Sequence, residues 1–202
     1  MGIFPVEGDA PHPGRRLILG KVLSPPPVRP GSARRVVVTG AESTGKTTLA
    51  GLLAESLGTV ASPEFAREYL DRKAAPLDRH DVEVIAVGQL DQESRYARRA
   101  ERVLILDTDL LSTVVYGEHY YGTIEPWIER VARERLGDLY LLLDGDVPWV
   151  ADVQRDRGDR RAEMHGLFHA ALERNGARYV IIRGSWTERL ERAISVVRSG
   201  VP

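Results

Sequence analysis

The stretch Arg35-Val36-Val37-Val38-Thr39-Gly40-Ala41-Glu42-Ser43-Thr44-Gly45-Lys46-Thr47-Thr48-Leu49 decides the fold. Its first third is a short β-branched run, the pattern of a central parallel strand covered on both faces. Residues 40–47 then fit G-x-x-x-x-G-K-[ST], the signature of a phosphate-binding loop. The chemistry needs these residue types. Successive backbone N–H groups must turn inward around an anion, and glycine allows the required dihedrals and the close approach. Helical spacing over residues 48–57 follows, stopped by Gly58, so the positive end of a helix dipole faces the anion. The loop is expected to hold ATP through Gly40, Glu42, Ser43, Thr44, Gly45, Lys46, Thr47 and Thr48. Lys46 is expected to reach the β- and γ-phosphates, and the Thr47 hydroxyl to ligate Mg2+.

Outward from the loop, short apolar runs alternate with helical stretches. Strands are expected at residues 59–61, 103–106, 139–143 and 179–182, in addition to 35–39. Helices are expected at 81–102, with Val84, Ile85, Val87 and Leu90 inward, and at 110–119, 125–136, 161–175 and 187–198. That alternation predicts an α/β fold of the P-loop NTPase type, three layers α/β/α around a five-stranded parallel sheet. Residues 1–34 differ from the rest. They carry Pro5, Pro11, Pro13, Pro25, Pro26, Pro27 and Pro30, which suits an irregular arm rather than a separate fold and leaves residues 35–202 as the kinase-type domain.

Composition narrows the function classes. The 202 residues carry a formal net charge of -1, which offers no bulk attraction to nucleic acid or an anionic membrane. With no cysteine, a disulfide scaffold, a thiolate metal site and a cysteine nucleophile are all excluded. No apolar run approaches the roughly 18 residues of a spanning helix, and the N-terminus does not read as a secretory signal, so the expected location is the cytoplasm. His80, His119, His165 and His169 show no metal-ligand pattern.

Carboxylates at strand ends complete the expected site. Ligands in an open α/β sheet lie beyond the carboxyl ends of the strands. Asp107, ending the third strand, is expected to hold Mg2+, while Asp109 either serves the site or caps the next helix. Glu64 follows the second strand and is expected to grip ribose hydroxyls or accept a proton, the alternative being a residue that complements a helix dipole. Arg67 has both substrate contact and a solvated position open to it. Asp144 and Asp146 suit the turn before Pro148. Arg155, Arg157, Arg160 and Arg161 are placed as a lid that neutralises a transferring phosphoryl group, or as a charged surface paired with Asp152, Asp156 and Asp159. Tyr116, Tyr120, Tyr121, Trp127 and Trp149 are ring-stacking candidates that equally suit a core, and Trp186, after the last strand, is a candidate for the adenine site.

These blocks resemble the ribosylnicotinamide kinase domain of the NadR-type bifunctional proteins, which join it to an NMN adenylyltransferase. The blocks that carry the resemblance are residues 40–49, Glu64-Phe65-Ala66-Arg67-Glu68-Tyr69, Ile105-Leu106-Asp107-Thr108-Asp109, Leu141-Leu142-Leu143 with Val147-Pro148-Trp149-Val150, and Arg155-Asp156 with Asp159-Arg160-Arg161. Ser24-Pro25-Pro26-Pro27-Val28-Arg29-Pro30 is similar to the linker between the two domains, which implies a kinase domain working without the adenylyltransferase. The chain departs from the family in having Asp152-Val153 where Asp-Gly is usual.

The resemblance implies transfer of the ATP γ-phosphate to the 5′-hydroxyl of nicotinamide riboside, giving NMN. Thr47 and Asp107 would hold magnesium, Lys46, Arg155 and Arg160 would stabilise the phosphoryl group, and Glu64 or Asp109 would anchor the ribose or act as base. The implied partners are a small nucleoside and a separate adenylyltransferase, with no membrane and no nucleic acid, and homo-oligomerisation is left open. Two other readings fit the loop: a kinase or NTPase acting on another nucleoside, nucleotide or polynucleotide end, and a non-catalytic ATP-binding sensor or subunit.

Overall fold

A computed structural model describes residues 33–146 and 158–200. Five strands, β1 (Arg34–Thr39), β2 (Val60–Ser62), β3 (Val103–Asp107), β4 (Leu139–Leu143) and β5 (Tyr179–Ile182), form one parallel sheet in the order β2-β3-β1-β4-β5. The chain runs to one side of β1 for β2 and β3, then crosses to the other for β4 and β5. This reversal opens a crevice at the carboxyl ends of β1 and β3, where Val38 pairs with Asp107.

Helices α1 (Lys46–Leu57) and α7 (Trp186–Ser199) cover one face. Helices α3 (Asp81–Ala97), α4 (Leu110–Tyr121) and α6 (Gly158–Arg174) lie on the other, with α5 (Pro126–Glu134) packed outside α3 and α4. Val36, Val37 and Val38 are fully buried, as are all five residues of β4, because a strand sandwiched between helices has no wet face. Each such side chain contributes roughly 1.5–3 kcal/mol of transfer free energy. Among the described residues, no helix is long and apolar enough to cross a membrane.

Several local expectations shift. Arg34, assigned by sequence to the Pro-rich arm, pairs with Val103 as the first residue of β1. The long helix expected at 81–102 ends at Ala97. Val84, expected inward, is 45% exposed. The buried stripe is Val82, Ile85, Ala86, Gln89 and Leu90, the i, i+3, i+4, i+7, i+8 pattern of one helix face, and it carries polar Gln89 at a core position. A further helix, α2 (Phe65–Lys73), follows Glu64 directly.

One glycine sets the distance between α2 and α3. A Cβ on Gly88 would lie 2.1 Å from the Phe65 ring, so only glycine lets the ring seat on α3. Gly88→Ala is expected to force the two helices apart at a cost of about 1–3 kcal/mol. Thermal or urea unfolding checks this, and an unchanged midpoint would refute it.

Candidate active site

The phosphate loop follows from β1. Gly45 has φ +88 and precedes α1, where a Cβ would fall 2.1 Å from the Trp186 ring. Glycine is therefore required twice there, for its dihedral and for its lack of bulk. Thr44 Oγ1 and Lys46 Nζ both donate to the Ala41 carbonyl, at 2.8 and 2.9 Å, and shape the loop from inside. Lys46 is buried along its stem, so its ammonium is confined to the loop. From α6, Arg161 Nη2 donates to Ser43 O at 2.6 Å.

Two carboxylates face Lys46. Asp107 is 2% exposed and accepts a hydrogen bond from the Thr47 side chain. Its Oδ1 is buried with no hydrogen-bond partner among the described residues. Burial raises its pKa, opposed by the Thr47 hydrogen bond and by the charges of Lys46 and Arg67. A hydroxyl and an orphaned carboxylate oxygen side by side are the hard donors that magnesium takes, so the residues present fit that ion.

Glu64 lies at the N-cap of α2 and makes no side-chain cap bond. It keeps partial access to solvent, yet desolvation of its carboxyl raises its pKa. Lys46 and Arg67 act in the opposite sense, and Asp107 and Glu42 add to the rise. An open cleft lies in front of it, lined among others by Glu64, Gln89, Thr108, Ser112 and Tyr116. Tyr116 packs edge-on against Phe168, with 5.4 Å between ring centroids.

Asp109 takes a different position. It is 3% exposed and accepts from the Tyr140 hydroxyl at 2.6 Å, and it is not among the residues lining the cleft. It belongs to a buried polar group with Glu93, whose carboxylate pairs with Arg35 at 2.7 Å and with Arg135 at 3.8 Å. Of the two carboxylates that sequence offers as ribose anchor or base, Glu64 lines the cleft and Asp109 does not.

Asp144 and Asp146 shape the ends of β4 and β5. Asp144 accepts from Gly145 N and from Arg183 Nε, both at 2.6 Å, and Asp146 accepts from Gly184 N at 2.7 Å. Between them lies Arg189, which has no exposed surface. Its guanidinium donates to Gly184 O at 2.9 Å, Thr44 O at 3.2 Å, Asp144 O at 3.0 Å and the Asp146 carboxylate. No local signal marks this residue, since its partners come from three other segments. Trp186, half-exposed, lies between Arg189 and Gly45, with the guanidinium 6.0 Å from the ring centroid.

Tyr120 stacks on Tyr116, Trp127 Nε1 donates to Glu83 at 2.9 Å, and His169 Nε2 meets the Tyr179 hydroxyl at 2.8 Å. Arg155, Arg157 and Trp149 lie outside the described residues. Arg160 falls in the first turn of α6, with its side chain likewise outside them.

Comparison with known proteins agrees with this architecture. The model of a family described as "AAA domain" matches residues 35–189. The trifunctional NAD biosynthesis/regulator protein NadR of Escherichia coli (strain K12) is 31% identical over 181 residues, covering 86% of this chain and 44% of that protein. The chain thus spans less than half the length of this relative. A crystal structure of NadR protein in complex with NR superposes with a TM-score of 0.75 at 28% identity, over 84% of this chain and 52% of that one. Another, in complex with NAD and AMP-PNP, gives 0.72 at 28% identity, over 84% and 50%.

Proposed function

The chain belongs to the AAA domain family, and we propose from this that it is an ATP-dependent kinase of nicotinamide riboside. The observation that carries the reading is the gathering of three groups at one edge of the sheet: Lys46 on the phosphate loop, Asp107 beside Thr47, and Glu64, which feels the charges of both and lines the adjoining cleft. The likeness to a NadR structure in complex with NR, an abbreviation of nicotinamide riboside, supports that acceptor, and the AMP-PNP complex supports ATP as donor.

In this reading the loop amides and Lys46 bind the triphosphate, and the acceptor lies in the cleft between α2, α3 and α4. The 5′-oxygen forms a bond to the γ-phosphorus as the bond to the β,γ-bridging oxygen breaks. The hydroxyl proton passes to a Glu64 oxygen, and ADP leaves. Thr47 and Asp107 would hold magnesium, which supplies charge neutralisation on the phosphates. Arg161 of α6, which donates to the loop carbonyl of Ser43, brings a cation to the loop's outer edge. Arg155 and Arg160 remain candidates for the same task, and Trp186 for the adenine contact. Phosphoryl transfer depends mainly on positioning and charge, so one carboxylate of raised pKa suffices as base.

Incubation of the purified chain with Mg-ATP and a panel of nucleosides tests this. NMN formation from nicotinamide riboside is expected, and turnover of a different nucleoside alone would refute it. The pH profile is a second test. A base must be ionised, and the pKa of Glu64 is raised. Turnover is therefore expected to fall, as pH is lowered, at a higher pH than an ordinary glutamate would give. Glu64→Gln is expected to remove that acid limb along with most of the rate. If the limb survived in this variant, Glu64 would not be the base.

A further inference from the structure

The geometry points to Gln89 and Gln92 of α3 as a bracket that fixes Glu64 over the cleft, two positioning residues acting on phosphoryl transfer through that carboxylate. Gln92 Nε2 donates to the Pro63 carbonyl at 2.5 Å. The Phe65 N–H donates to Gln89 Oε1 at 3.0 Å. One bond therefore falls on each side of Glu64 in the chain. Gln89 and Gln92 are 2% and 3% exposed and stand three residues apart, on one face of α3.

The Gln89 bond changes what Glu64 is free to do. The first N–H groups of a helix have no intrahelical acceptor, and a residue at the N-cap usually supplies one from its own side chain. Glu64 holds the N-cap of α2 and makes no such bond. Gln89 accepts from the first of those N–H groups, that of Phe65, while the Glu64 oxygens make no bond to α2.

The orientation of the Gln89 amide follows from its neighbours. Phe65 N–H can only donate, and Thr108 O, 3.4 Å from Gln89 Nε2, can only accept. Glu93 Oε1 accepts from the same Nε2 at 3.3 Å. Thr108 follows Asp107 and has φ +64, so Gln89 ties the turn carrying Glu64 to the strand end carrying Asp107. Gly88 permits the close seat of Phe65 that brings these atoms together. The amide thereby sets the separation of the two carboxylates of the site.

This inference rests on the kinase reading for its catalytic consequence but not for its structural one, and the experiment keeps the two apart. Gln89→Met and Gln92→Met keep side-chain length and helix preference while removing the amide. In the full chain, exchange of the Phe65 amide proton, followed by NMR, is expected to accelerate by at least about tenfold in Gln89→Met, with amides of β4 unchanged. In nicotinamide riboside turnover, each variant is expected to lose roughly 10- to 100-fold in kcat with KM for ATP unchanged. In a Glu64→Gln background each is expected to lose less than about twofold more, because a positioning residue has nothing left to position. Unaltered Phe65 exchange, or a full further loss on top of Glu64→Gln, would overturn the bracket. If the parent chain phosphorylates no nicotinamide riboside, the kinase reading fails, and the exchange result alone decides the inference.

Discussion

Replacing Lys46 with alanine is expected to cut turnover by roughly 10²- to 10³-fold, the usual cost of removing one preorganised charge from a phosphoryl-transfer site. Two effects act in the same direction. The variant loses the cation confined to the loop beside Ala41 O. It also removes the largest influence that lowers the pKa of Glu64, and one of those that lower the pKa of Asp107. Both carboxylates then hold their protons more tightly, so the base is ionised less and the acid limb of the pH profile moves up. Steady-state rates at saturating ATP across a pH series measure both effects. A loss under about tenfold, with the limb unmoved, would remove Lys46 from the transfer step.

The largest stability loss is expected at Arg189. Arg189→Met leaves the carbonyls of Gly184, Thr44 and Asp144 without this donor and Asp146 without its buried partner. Removing one member of a buried pair typically costs 3–5 kcal/mol, and the partial exposure of Asp146 argues for the lower end, about 3 kcal/mol. In a domain of this size that lowers Tm by about 6–12 °C. Arg189→Lys is expected to rescue little, since one compact ammonium cannot serve four acceptors spread around a planar guanidinium. Thermal unfolding of both variants decides the matter, and a Tm within about 2 °C of the parent for Arg189→Met would contradict it. The phosphate loop is expected to loosen as well, because Thr44 O is one of the four acceptors, so ATP affinity falls with stability.

The sheet and most of its helices were legible because their signals are local. A β-branched run, a glycine loop and helical spacing lie within a few residues of one another. The placement of Lys46, Asp107 and Glu64 follows from the same logic, since Asp107 ends β3, Glu64 closely follows β2, and Lys46 opens α1 beyond the loop that leaves β1. What escaped depends on distant residues. Arg35 meets Glu93 across 58 positions, and Arg189 reaches Thr44 across 145. Gln89 reads as a polar interruption in an apolar stripe until Phe65 N–H and Thr108 O are seen to need it. Asp109 reads from sequence as a site residue or a helix cap, and the hydroxyl it bonds comes from Tyr140 in β4. Val84 was placed inward for its hydrophobicity, although the period of α3 turns it outward.

Trp186 lies against the one glycine of the phosphate loop that opens α1, and 43% of it remains in contact with solvent. An indole in that position emits according to the polarity and charge that arrive at the loop. The chain therefore carries its own optical probe at the nucleotide end of the site. With Trp127 and Trp149 replaced by phenylalanine, triphosphate arrival can be followed in real time by emission alone, with no label attached and no turnover required.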